Sequence, residues 1–148
     1  MKRIVMVILL LGLGPAWGAE GLLQVKSPHG VSETLDRFEQ AVRNKGMTVF
    51  TRIDHAAGAA RVGKVLRPTE LLIFGNPNIG TLLMQSNPTA AIDLPMKALA
   101  WKDAQGQVWL AWNDPAWIAR RHGVSDRDAV VAKMQKALRA FGVAATRP

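Results

Sequence analysis

The sequence predicts a single α+β domain, with one mixed β-sheet of about five strands packed by amphipathic helices. Three observations lead there. Val31, Leu35, Phe38 and Val42 recur at helical spacing, as do Val130, Met134, Ala137, Leu138 and Phe141. Between those segments lie short runs of apolar, β-branched and aromatic residues of strand length. No repeat, low-complexity tract or linker divides the chain, and 148 residues suffice for one core.

The elements follow in the order β-α-β-α-β-α-α-β-β-α-α. "LLQVK" (22–26) reads as a first strand, and "SPHG" turns the chain. "VSETLDRFEQAVRNKG" reads as a helix with Ser32 as N-cap and Gly46 at its close. "MTVFTRI" alternates as a second strand. "HAAGAARVGKV" is Ala-rich and predicts a short helix, ended by Pro68. "ELLIFG" is a continuous apolar run, as a buried strand requires. One or two short helices fit between Pro77 and Pro95. "MKALAWKDAQGQVWLAWND" predicts a hairpin about Asp103–Gly106, with glycine at the last turn position. "PAWIARRHG" is a short helix opened by Pro115. "SDRDAVVAKMQKALRAFG" predicts a final helix, capped by Ser125 and closed by Gly142. "VAATRP" (143–148) is expected to be a loose tail.

The first residues have a different character. Lys2 and Arg3 precede an apolar run from Ile4 to Leu13, which Gly14 and Pro15 break before the small residues Ala16 and Gly18. That layout is a secretory signal peptide over residues 1–18, with cleavage after Gly18. An uncleaved N-terminal anchor is the alternative. Residues 19–142 then form the domain, exported to the periplasm or beyond, with no membrane span in the mature chain. The sequence has no cysteine, which excludes disulfides, thiolate catalysis and cysteine-based metal sites. The net charge of +8 falls to +6 once Lys2 and Arg3 are removed. Such an excess favours a small anionic ligand or an anionic envelope surface as partner. Its scattered placement argues against nucleic acid.

"IDHA", "LRPTELLIFGNP", "GTLLM", "IDLPMKAL", "WLAWNDP" and "RHG" occur in that order. With these motifs the chain resembles a bacterial family called domain of unknown function 302, over roughly Leu22 to Phe141. The resemblance implies a compact, self-associating and dimeric α/β unit. It implies no established activity, cofactor or catalytic residue.

Three short stretches carry candidate site residues. Asp54 and His55 end the second strand. Asp54 suits a structural N-cap of the Ala-rich helix. His55 is left without a structural task, and its imidazole could act as general base, anion contact or ligand. Asn76 lies in "FGNP", where a strand gives way to a helix start. No lysine follows the second glycine there, so a phosphate loop is excluded. Asp93 lies in "IDLP". If the second and third strands are parallel neighbours, the first two stretches share an edge where α/β clefts form. No His-x-His or His-x-x-x-His spacing exists, so neither metal nor cofactor is expected. The Trp101, Trp109, Trp112 and Trp117 group suits a core or a homodimer interface.

The leading expectation is a non-catalytic periplasmic ligand-binding or accessory module with a small polar pocket of His55, Asn76 and Asp93. Alternatives are a small enzyme with His55 as general base, or a structural dimer joined by the Trp-rich hairpin.

Overall fold

The computed structural model of the chain describes residues 19–148; the expected leader, residues 1–18, lies outside them. The elements are β1 (Leu22–Ser27), α1 (Val31–Asn44), β2 (Thr48–Asp54), α2 (His55–Arg61), β3 (Thr69–Gly75) and α3 (Pro77–Ser86). A 3₁₀ turn (Pro88–Ile92) leads to β4 (Met96–Lys102), β5 (Val108–Asn113), α4 (Pro115–Arg121) and α5 (Asp128–Thr146). The expected α+β order is therefore present, with the 3₁₀ turn taking the place of one short helix.

The five strands form one sheet in the order β1-β5-β4-β3-β2. Every pairing is antiparallel, where a mixed sheet was expected. The difference lies in the connections. Helix α1 carries the chain from one edge strand to the other, so β1 and β2 never pair. Short returns through α2 and the 3₁₀ turn then reverse direction at each neighbouring strand.

One sheet face is the core. Leu72, Phe74, Ala98, Ala100, Leu110 and Trp112 point to it, as the two-residue strand period requires. Helix α1 covers it with Leu35, Phe38 and Val42, all fully buried. Helix α5 adds Met134, Leu138 and Phe141. Phe38 meets Phe74 edge-on at 5.3 Å and Phe141 at 5.7 Å between ring centroids, a favoured geometry for aromatic rings. Helix, strand and helix are thus joined at one point.

Several local expectations change. The N-cap of α1 is Gly30 rather than Ser32, whose hydroxyl instead bonds the Glu70 carboxylate. The N-cap of α5 is Arg127, without a side-chain cap, rather than Ser125. Helix α5 does not close at Gly142 but runs to Thr146. The supposed loose tail is therefore helical over most of its length. The Arg147 carbonyl accepts bonds from His29 Nε2 at 2.7 Å and from the Arg37 guanidinium at 2.8 Å. Gly142 reads as a stop signal in sequence, yet it is there for packing. A Cβ on it would lie 2.5 Å from the Trp112 ring.

The hairpin turn between β4 and β5 is held by one carboxylate. Asp103 accepts bonds from the backbone N–H of Gln105 and Gln107, each at 2.9 Å, and from Trp109 Nε1 at 2.9 Å. The Trp109 bond, then those from Gln107 and Gln105, hold the Asp103 carboxyl below its ordinary value. A depressed folded value stabilises the turn above the unfolded pKa of about 3.9, and the gain is lost as pH falls through the lower folded value. Trp101 stacks on Trp109 at 6.4 Å, so their coupled circular-dichroism signal reports the hairpin. That signal should fade on acidification below about pH 3.9. In Asp103→Asn its acid dependence at this step should vanish. An identical acid profile in the variant would refute the assignment.

Candidate functional site

The antiparallel pairing of β2 with β3 decides where the expected site residues fall. In that register Asp54 lies opposite Glu70, and Thr48 lies opposite Gly75. "IDHA" and "FGNP" therefore sit at opposite ends of the strand pair, and the shared edge expected from parallel strands does not exist. His55 is exposed at the first position of α2, and its ring makes no hydrogen bond or ion pair among the described residues. Asp54 caps the same helix by accepting from the Ala57 N–H at 2.9 Å. Asn76 caps α3, accepting from the Asn78 N–H at 2.9 Å. His55, Asn76 and Asp93 line no common pocket.

Asp93 instead has a partner that the sequence reading left out. Its Oδ2 lies 2.6 Å from His122 Nε2, and its Oδ1 accepts from the Arg121 guanidinium at 3.1 Å. The other imidazole nitrogen, His122 Nδ1, lies 2.9 Å from the Thr89 hydroxyl. The His122 carbonyl accepts from the Asn87 side-chain amide at 2.7 Å. Asp93 follows the 3₁₀ turn, whereas His122 follows α4. Both side chains are nearly buried, at 12% and 7% exposure, so water competes little for their bond.

The sequence "RHG" carries His122 between two arginines' helix and a glycine with φ +63°. That turn at Gly123 lets α4 end and aim the ring back at the 3₁₀ turn. The order hydroxyl, imidazole, carboxylate is that of a proton relay. Thr89 Oγ1, however, also donates to Asn87 Oδ1 at 2.8 Å, where it belongs to the cap of the 3₁₀ turn. The arrangement is a clasp that joins α4 to the turn before β4. The only sequence signal for it was the presence of "IDLP" and "RHG" in one family pattern.

A second charged cluster lies at the α1 side of β2. Arg52 donates to Glu70 at 2.8 Å through Nε and to the Ser32 carbonyl at 2.9 Å, and it also pairs with Asp36. It ties the sheet edge to α1. No group of three or more metal-ligating side chains occurs among the described residues.

Five antiparallel strands with two long helices on one face define a two-layer α+β domain. The chain belongs to the family described as domain of unknown function DUF302, whose sequence pattern matches residues 23–141. A crystal structure of an uncharacterized conserved DUF302 protein from Bacillus stearothermophilus shares the fold. Its TM-score is 0.76 at 19% sequence identity, over 86% of this chain and 99% of that one.

Curated relatives bear a more specific name. The "Fluoride-specific ion channel FluC 1" of Brucella suis biovar 1 (strain 1330) is 52% identical over 113 residues, covering 76% of this chain and 44% of the relative. The protein of that name from Brucella abortus biovar 1 (strain 9-941) matches equally, with 42% of its length covered. The chain thus spans less than half the length of the curated relatives it matches. These names describe an ion channel, not a periplasmic ligand-binding module. The functional expectation drawn from the sequence is corrected on that finding.

Proposed function

We propose that this chain is a non-conducting domain of fluoride handling, one that works with a fluoride-specific ion channel without forming the passage itself. The observation that carries this reading is the 52% identity over 113 residues to proteins named as such channels. Two features favour a non-conducting part. No described helix is long and apolar enough to cross a membrane. The sheet is open, with β1 and β2 as its edges. The export expected from residues 1–18 would set the side of the membrane on which the domain meets its channel.

Pairing of two copies belongs to the same proposal. The sheet face turned away from α1 and α5 carries Leu71, Leu99, Trp101 and Trp109, all half-buried and outside the core cluster. A partly exposed apolar group of this kind is what copies use to associate. Light scattering should give twice the chain mass, and Trp109→Ala should lower it; a monomer at the outset removes this part.

The main test is cellular. Deleting the gene should lower the fluoride concentration that stops growth, and the tagged chain, cross-linked in its own cells, should bring down a fluoride channel. Unchanged fluoride tolerance together with no channel among the cross-linked proteins would overturn the proposal.

A further inference from the structure

The ends of β2, β3 and β4 enclose a cavity of about 420 Å³ against α3 and α5. Its size lies within the range of roughly 300–1,000 Å³ common for small-ligand pockets. Neither His55 nor Asp93 lines it, although Asn76 does and Leu94 beside Asp93 does, and its walls are mostly apolar. Met47, Met84, Met96 and Met134 line it with Phe50 and Leu94. Four flexible thioether side chains make a wall that adapts to a long, variable chain.

Its geometry depends on two local features. The β2–β3 register shifts between Val49 and Thr51, leaving Phe50 outside the ladder. Such a bulge re-aims a side chain, and Phe50, 53% exposed, joins the cavity wall. Gly75 is the second. A Cβ there would meet Pro95 Cβ at 3.3 Å and the Phe50 ring at 3.6 Å. Glycine therefore lets Pro95 sit close against the strand end.

Charge distinguishes the cavity's mouth. Lys45 and Lys133 line it and are exposed. Neither belongs to any ion pair among the described residues. No carboxylate lines the cavity. Two free ammonium groups over an apolar chamber are complementary to a molecule with an apolar tail and a negative head.

We propose that this cavity binds the tail of a single-chain anionic amphiphile, with Lys45 and Lys133 at its head group. The tail lies among the methionines, and the head stays at the lysines, where it keeps water as well as charge. Binding here is independent of whether the domain meets a fluoride channel.

Dodecanoate is the probe, and dodecyltrimethylammonium is its control of equal chain length and opposite charge. Each is titrated calorimetrically into the full chain below its micelle-forming concentration. Dodecanoate should bind one per chain, about tenfold more tightly than the cation, from the two head-group pairs. Lys45→Gln with Lys133→Gln should remove most of that preference while leaving the fold unchanged, since both side chains are exposed. Gly80→Leu should abolish binding of both probes. A Cβ at Gly80 lies 3.8 Å from Leu94 and 4.0 Å from Met84, so the added side chain enters the cavity; circular dichroism checks that α3 persists. No dodecanoate binding, equal binding of the two charges, or binding that survives Gly80→Leu would each overturn the proposal. Capture of an amphipathic peptide with no dodecanoate binding would do the same.

Discussion

Trp112→Ala should destabilise the domain by about 3–5 kcal/mol, the usual cost of deleting a large buried aromatic. Trp112 is 4% exposed, next to the last residue of β5. Its ring fills the space over Gly142 of α5, where an added Cβ would approach ring atoms to 2.5 and 2.9 Å. The same contact predicts that Gly142→Ala also destabilises, by about 1–3 kcal/mol from overpacking. Helix propensity alone favours alanine over glycine by about 1 kcal/mol, so the expected sign is reversed by tertiary contact. Trp112→Phe should cost much less than Trp112→Ala. It keeps an aromatic ring and removes an indole N–H that has no partner in the core, a group whose burial is unfavourable. Urea unfolding of the three variants checks all of this. A Gly142→Ala protein as stable as the parent would show that the Trp112 ring moves freely.

Asp93→Ala should cost about 2–4 kcal/mol, because it strips the buried His122 of its carboxylate. The Arg121 arm of the clasp adds little, since that guanidinium is 48% exposed and an exposed pair contributes about 1 kcal/mol or less. Asp93→Asn should fall between the two, keeping an acceptor for His122 Nε2 but losing the charge. His122→Ala should resemble Asp93→Ala, and the double variant should cost clearly less than the two single costs added together. Thermal or urea unfolding supplies each value. Strict additivity would show that the 2.6 Å contact carries no energy.

Such a clasp is hard to read in advance. Asp93 and His122 are 29 positions apart, and each alone fits a bland local role. His55 drew attention because it stands beside an acid in the chain, yet neighbours in a strand-to-helix junction point in different directions. His122 became important because α4 ends over the 3₁₀ turn. Thr89 entered the same cluster as part of that turn's cap.

The sequence by itself determined the order of strands and helices, apart from the 3₁₀ turn that stands where a second short helix was expected. Periodicity is local: apolar residues at helical or strand spacing state which face must be buried, whatever covers it. It likewise carried the family pattern and the cap at Asp54. Beyond the hairpin of β4 and β5, which strands pair, and in which direction, was decided only in three dimensions, because a strand's alternation is the same beside either neighbour. That one decision separated His55 from Asn76, set Asp93 against His122, and opened the cavity between the strand ends and α5. Gly142 shows the same division in a single residue: the chain reads it as a helix stop, whereas the Trp112 ring makes it a helix interior.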